Sequence, residues 1–159
     1  MQMLDAERLL GIFQTKPSVS DRPGAIEIEK PEGDIVFENV CFAYDVRKPA
    51  VKDISFHVPA GSTVAFVGET GGGKTTCLKL LFRFYDVASG SIKLDGHDIR
   101  DIKVDSMRSH MGVVPQDPQL FNDTIMNNVR YANLGASDEQ VYEACRAASI
   151  HDKIMSCPP

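Results

Sequence analysis

The sequence predicts an α/β fold, and three consecutive segments support that prediction. Residues 63–67 form a continuous apolar run, which is typical of a strand buried on both faces of a sheet. A glycine-rich segment follows at residues 68–75, and residues 75–84 then place apolar side chains at helical spacing. A strand, a glycine-rich loop and a helix in this order indicate a nucleotide-binding domain of the P-loop type.

Other segments predict the elements around this unit. Strand-like composition or alternation is found at residues 35–44, 54–58, 91–96 and 111–116. Helical patterns are found around residues 124–131 and 137–149. Asp138 and Glu139 lie in the first turn of the last of these, where carboxylates stabilise the positive end of the helix dipole.

Length, composition and charge limit the possible classes of function. The chain has 159 residues, enough for one domain with a sizeable core, and its 43% hydrophobic and 25% charged residues are ordinary for a globular protein. The net charge of −5 gives no general basic field, so we expect no nucleic-acid partner. No apolar run approaches the ~20 residues that cross a bilayer, and the N-terminus does not resemble a signal peptide.

The cysteines and histidines do not predict a metal centre. The 4 cysteines are widely spaced and form no C-x-x-C pair, so a disulfide framework or a structural zinc site is not expected. The 4 histidines also lack the spacing of metal ligands. A reducing compartment suits this pattern best.

The glycine-rich loop carries the chemistry. Gly-x4-Gly-Lys-Thr at residues 68–75 is the phosphate-loop pattern, and it stands between a predicted strand and a predicted helix as the pattern requires. Glycines let the backbone approach phosphates closely, and the N–H groups from about Gly71 to Thr75 can form an anion nest at the helix start. Lys74 is then expected to reach the β- and γ-phosphates, and the Thr75 hydroxyl to bind Mg²⁺.

The loop alone does not identify the nucleotide, but two absences disfavour a GTPase. A GTPase carries a D-x-x-G switch and an N-K-x-D guanine-binding motif after the loop. The only D-x-x-G stands at residues 21–24, before the loop, and N-K-x-D does not occur.

Three motifs, in order, resemble the nucleotide-binding domain of an ATP-binding cassette (ABC) transporter. Residues 40–44 end at Tyr44, which resembles the A-loop aromatic that stacks on adenine in that family. The phosphate loop follows, and residues 113–117 resemble the Q-loop. The resemblance implies that Gln116 contacts Mg²⁺ or the attacking water and couples the site to transmembrane helices. It also implies a P-loop ATPase fold with an antiparallel β subdomain.

The expected site residues follow from the loop and the resemblance together. The nucleotide-binding set is Tyr44, Gly68, Gly71, Gly72, Gly73, Lys74, Thr75 and Thr76. Lys74 and Gln116 are the expected catalytic residues, and Thr75 and Gln116 are the expected Mg²⁺ ligands. The implied cofactors are ATP and Mg²⁺.

Further stretches resemble exporter-type half-transporters, especially the heavy-metal-tolerance and mitochondrial branch of the B subfamily. These stretches are residues 81–86, 89–92, 95–96, 120–125 and 128–131. Residues 1–16 resemble the connector helix that follows a transporter's last membrane helix. We expect a linker at residues 17–34 and the N-terminal part of the nucleotide-binding domain at residues 35–159.

Several motifs of the family do not occur in these residues. The sequence contains no L-S-G-G-Q signature, no Walker B strand with its carboxylates and no switch histidine. The domain is therefore expected to be incomplete at its C-terminus. The resemblance implies that in the family the Walker B carboxylates supply the general base and part of the Mg²⁺ shell.

The resemblance also implies partners and a location. The expected partners are a transmembrane domain, in the same chain or another, and a second ABC nucleotide-binding domain. The nucleotide domain is expected on the cytosolic or matrix side of a vacuolar or inner mitochondrial membrane.

Two other functions stay open at this point: a short nucleotide-binding or regulatory protein, and part of a soluble ABC ATPase not involved in transport.

The first prediction concerns hydrolysis. Because the Walker B carboxylates and the signature are not in the sequence, we expect residues 1–159 to bind ATP with negligible turnover. A steady-state assay of phosphate release from Mg-ATP measures this. A turnover that disappears in the Lys74→Ala variant would contradict the prediction.

Overall fold

The structure is a computed structural model that describes residues 13, 17–45 and 47–156. The chain divides into two compact units, Met1–Gly112 and Val113–Pro159. The connector helix predicted at residues 1–16 lies outside the described residues, apart from Phe13, which is helical and exposed, and its role as a connector stays a prediction.

The first unit is built on an antiparallel sheet, which confirms the predicted β subdomain. Among its described residues, four strands lie in the order β2-β1-β3-β4. They are β1 Ile35–Asp45, β2 Lys48–Val58, β3 Ser89–Leu94 and β4 His97–Asp98. The central strand β1 places Phe37 opposite both Phe56 of β2 and Ile92 of β3. The Phe37 and Phe56 rings stack with centroids 4.3 Å apart, a cross-strand pair that stabilises this register.

Short helices cover one face of this sheet. They are α1 Lys74–Leu81, a 3-10 turn at Ile99–Asp101, and α2 Val104–Arg108. Cys77 and Leu80 lie three residues apart on α1, so both point to the sheet, and Leu80 is completely buried. Burial of such a leucine contributes about 2 kcal/mol. The core combines sheet, helix and turn residues: Phe37, Val40, Phe42, Val51, Cys77, Leu80, Ile92, Leu94, Ile99, Ile102 and Met107.

Two predicted strands are not formed. Residues 63–67 and residues 111–116 have no regular secondary structure, although both are apolar. Val67 is 93% exposed and Val114 is 96% exposed. A strand is stabilised by ladder hydrogen bonds to its neighbours, and within the described residues no strand pairs with either segment. The sequence-based prediction identified apolar runs correctly but assumed pairing partners for them.

A buried arginine joins the end of α1 to the segments around it. Arg83 is 1% exposed, and its guanidinium donates hydrogen bonds to the carbonyl oxygens of Ile99, Ile102 and Ser20 at 3.1–3.3 Å. It also forms an ion pair with Asp86 at 3.0 Å. A buried charge is costly unless it is paired and hydrogen-bonded, and here each of the three guanidinium nitrogens makes at least one hydrogen bond.

The predicted linker at residues 17–34 makes specific contacts with this unit. The Asp95 carboxylate accepts hydrogen bonds from the backbone N–H groups of Glu32, Gly33 and Asp34. Ile26 forms a parallel bridge to Ile102. These contacts hold residues 26–34 against the sheet, while a linking role between domains stays a prediction.

The regular secondary structure of the second unit, within its described residues, is helical, which confirms both predicted helical stretches. Its helices are α3 Ile125–Arg130, α4 Asp138–Ala147 and α5 His151–Met155. Thr124 caps α3 by accepting a hydrogen bond from the Asn127 backbone N–H. Ser137 and Gln140 form a reciprocal capping box at the start of α4. Among the described helices, none combines the length and apolar character that crossing a bilayer requires.

Arg83 generates the second prediction. Arg83→Met keeps the buried stem but removes four polar contacts and leaves three carbonyl oxygens without this donor. We expect the free energy of unfolding to fall by about 3 kcal/mol, measured by urea denaturation. The control is Arg47→Met, because Arg47 is 88% exposed in its ion pair with Asp45, and it should change stability little. Equal effects of the two substitutions would refute the assignment.

Candidate nucleotide-binding site

The phosphate loop lies immediately before α1, with Lys74 as the first residue of the helix. The Lys74 ammonium donates hydrogen bonds to the carbonyl oxygens of Gly68 at 2.8 Å and Glu69 at 2.7 Å. The lysine therefore folds back across the loop instead of extending into solvent. A positive charge is thus held at the helix N-terminus, the end that also carries the positive pole of the helix dipole.

Gly73 fits a space that no other residue can occupy. It is the N-cap of α1, with φ of 81°. A Cβ atom built at this position would lie 2.6 Å from the carbonyl oxygen of Ala50 on β2. The N-cap has no side chain to cap the helix, so the backbone N–H groups of the first turn remain available to an anion. Gly68, Gly71 and Gly72 are exposed in the loop.

The two threonines of the loop face different surroundings. Thr75 lies exposed in the first turn of α1, as expected for a hydroxyl that binds a metal ion carried by the nucleotide. Thr76 is buried, and its Oγ1 lies 3.4 Å from the hydroxyl oxygen of Tyr44. This contact joins the predicted adenine platform to the helix that begins the phosphate site.

Tyr44 belongs to an aromatic cluster. Its ring is perpendicular to Phe42, with centroids 5.0 Å apart, and perpendicular to Tyr85, with centroids 5.3 Å apart. The Lys79 ammonium lies 5.7 Å from the centroid of the Tyr44 ring. Tyr44 itself remains 53% exposed, so its ring has surface available for a base. The sequence alone predicted no role for Tyr85 or Lys79, because residues 81–86 show a family resemblance but no pattern that assigns a function to one side chain.

Gln116 lies in the second unit. It is exposed, at a bend that follows residues without regular structure. Its predicted contacts with Mg²⁺ or water therefore stay a prediction.

An apolar groove lies beside the loop. Its volume is about 410 Å³. Its lining includes Lys74 and Gly72 together with the apolar residues Phe56, Val64, Phe66 and Cys77. Burial raises the pKa of the Cys77 thiol, so this cysteine stays protonated at neutral pH and is a packing residue rather than a nucleophile.

The described residues hold no preformed metal centre. No group of three or more His, Cys, Asp or Glu side chains in the described ranges could hold an ion. A Mg²⁺ ion would therefore depend on nucleotide phosphates as well as on the Thr75 hydroxyl. The glycine cradle at Gly73 and the folded Lys74 fit a polyphosphate ligand.

Comparisons with known proteins agree with this geometry. The family profile described as "ABC transporter" matches residues 51–157. An ABC transporter, aclQ, from Aspergillus oryzae is 58% identical over 98% of this chain and 19% of its own length. The heavy metal tolerance protein of Schizosaccharomyces pombe is 49% identical over 98% of this chain and 19% of its own length.

A solved structure gives the same result for the fold. It is described as a bacterial Atm1-family ABC exporter with ATP bound, and it superposes with a TM-score of 0.90 at 41% identity. The match covers 98% of this chain and 28% of that one.

These findings define the class of protein. The fold is that of a P-loop ATPase domain, and the chain belongs to the ABC transporter family. It is similar throughout its length to half-transporters of the heavy-metal-tolerance type, and it carries the ATP-binding part of such a protein. The chain spans about a fifth of the length of the curated relatives.

The third prediction tests the close approach at Gly73. Gly73→Ala should lower the free energy of unfolding more than Gly71→Ala, because both positions have positive φ but only Gly73 faces a backbone oxygen. Strain at either position costs about 1 kcal/mol, and the clash at Gly73 adds about 2 kcal/mol. Chemical denaturation of the two variants measures the difference. Indistinguishable midpoints would show that the loop does not rest on β2 as described.

Proposed function

We propose that the first unit binds Mg-ATP, with Lys74 on the β- and γ-phosphates and Thr75 on the metal ion. The observation that carries this proposal is the position of the Lys74 ammonium, held across the glycine loop at the start of α1. When bound, Mg²⁺ neutralises phosphate charge. The free N–H groups between Gly71 and Thr75 supply the surrounding hydrogen bonds, while the Gly72 N–H donates to the Glu69 carbonyl oxygen at 3.1 Å.

We further propose that Tyr44 receives the adenine base. Its half-exposed ring and its contact with Thr76 place an aromatic surface close to the helix that begins the phosphate site. Stacking of a base on an aromatic ring contributes about 1–3 kcal/mol. Gln116 is proposed to contact the metal ion or water, as the family resemblance implies.

In the longer protein, we propose that this domain supplies the ATPase of a membrane exporter. The support is the similarity to ABC transporters and to an ABC exporter structure. The proposed partners are a transmembrane domain and a second nucleotide-binding domain. ATP binding would bring two such domains together, and hydrolysis would separate them.

The proposed domain boundaries and location follow the same reasoning. Residues 1–16 are a connector from the membrane domain, residues 17–34 a linker, and residues 35–159 the N-terminal part of the nucleotide-binding domain. The membrane is vacuolar or inner mitochondrial, with the nucleotide domain on the cytosolic or matrix side. Residues 1–159 by themselves bind ATP without hydrolysing it, since they contain no Walker B carboxylate to act as general base.

The fourth prediction tests nucleotide binding directly. Lys74→Ala should weaken the binding of Mg-ATP by roughly tenfold or more, because it removes charge-assisted hydrogen bonds to phosphate. Isothermal titration calorimetry on the full chain measures this. Lys52→Ala is the matched control, because Lys52 is an exposed lysine on β2, and it should leave the affinity unchanged.

Inorganic tripolyphosphate serves as a second ligand in the same titrations. It should lose affinity in Lys74→Ala as ATP does, because both ligands present phosphates to the loop. Wild-type affinity for ATP in the Lys74→Ala variant would contradict the proposed phosphate site.

A further inference from the structure

The orientation of Tyr44 needs a physical cause. A half-exposed tyrosine on an edge of a domain turns about two side-chain torsions, and a stacking surface that samples several orientations loses affinity for its base. Phe42, two residues earlier on β1, lies on the same side of the strand and restrains one side of the ring. Phe42 is buried, so it forms the fixed base of the cluster.

Tyr85 supplies the second restraint, from a different element. It follows α1, and its ring meets Tyr44 at an interplanar angle of 89° with centroids 5.3 Å apart. It also contacts the Phe42 ring, with centroids 5.3 Å apart. Perpendicular aromatic pairs at such distances contribute more stabilisation than the burial of their apolar surface alone would give. The three rings therefore form a closed triangle, with each ring in contact with the other two.

The backbone that carries Tyr85 is fixed independently of its ring. Two residues earlier, the buried Arg83 donates to three carbonyl oxygens, and one residue later Asp86 pairs with Arg83. Arg108 also donates hydrogen bonds to the carbonyl oxygens of Phe82 and Arg83. A substitution confined to the Tyr85 ring therefore leaves this segment in place.

We propose that Tyr85 is a positioning residue of the adenine site, which acts by holding the Tyr44 ring in its base-stacking orientation. This inference rests on the proposed role of Tyr44 in binding ATP. Tyr85 is 38% exposed, so its ring contributes to the Tyr44 contact without being essential to the core. Lys79, whose ammonium lies 5.7 Å from the Tyr44 centroid, holds the same ring from α1.

The fifth prediction separates a positioning role from a structural one. In the full chain, Tyr85→Leu should weaken ATP binding by roughly two- to tenfold, the worth of one aromatic pair. Its affinity for tripolyphosphate, which has no base, should stay at the wild-type value. Tyr85→Phe keeps the ring and should rescue ATP affinity. In a Tyr44→Ala background, Tyr85→Leu should cause no further loss.

Several outcomes would overturn the proposal. Equal losses for ATP and tripolyphosphate in Tyr85→Leu would show an effect on the loop itself. A Tyr85→Phe variant as weak as Tyr85→Leu would show that the ring contact is not responsible. Unchanged ATP affinity in Tyr85→Leu, beside a loss in Tyr44→Ala, would show that Tyr44 needs no such support.

If the proposed ATP-binding function itself is wrong, the variants should show a different pattern of affinities. If Tyr44→Ala binds ATP like the wild type, Tyr44 is not the adenine platform, and this inference falls with that role. If Lys74→Ala also binds ATP like the wild type, the phosphate-loop proposal fails as a whole. Thermal unfolding followed by circular dichroism confirms that each variant is folded during the titrations.

Discussion

The contact between Gly73 and the carbonyl oxygen of Ala50 is the constraint on which the site depends. It brings the first turn of α1 against β2 at a distance that excludes any side chain. Because the helix begins there, the contact also determines where Lys74 and the free N–H groups of the first turn lie. The helix end that we propose to bind phosphate is thus positioned by packing against the sheet as well as by the glycines of the loop.

The opposite end of α1 is held by polar contacts. Arg83 connects the residues after the helix to the 3-10 turn and to Ser20, and its burial makes those hydrogen bonds strong and costly to lose. Between the two ends, Leu80 and Cys77 pack into the core below the sheet. A short helix of this kind has little stability by itself, so its position depends on these tertiary contacts.

The aromatic cluster connects the two parts of the proposed site. Tyr44 comes from β1, Tyr85 follows α1, and Thr76 lies within α1, so the base platform and the phosphate loop share one helix as a reference. In the proposed site ATP would span both, so a rigid relation between Tyr44 and the loop would help to bind it.

The apolar groove beside Lys74 is lined in part by residues 63–67, which are exposed. This apolar run forms no strand, because within the described residues no strand pairs with it.

The sequence by itself determined the phosphate loop, the helix after it and the segments that form β1, β2 and β3, because glycine spacing, helical periodicity and side-chain alternation are properties of adjacent residues. That the sheet is antiparallel followed only from the family resemblance, since strand pairing is not a local property. The sequence could not decide whether residues 63–67 and 111–116 form strands, because pairing depends on what lies beside them. Only the tertiary structure brought Ala50 to Gly73, buried Arg83 and placed Tyr85 against Tyr44. These contacts join residues that are distant in the chain or that belong to no recognisable sequence motif.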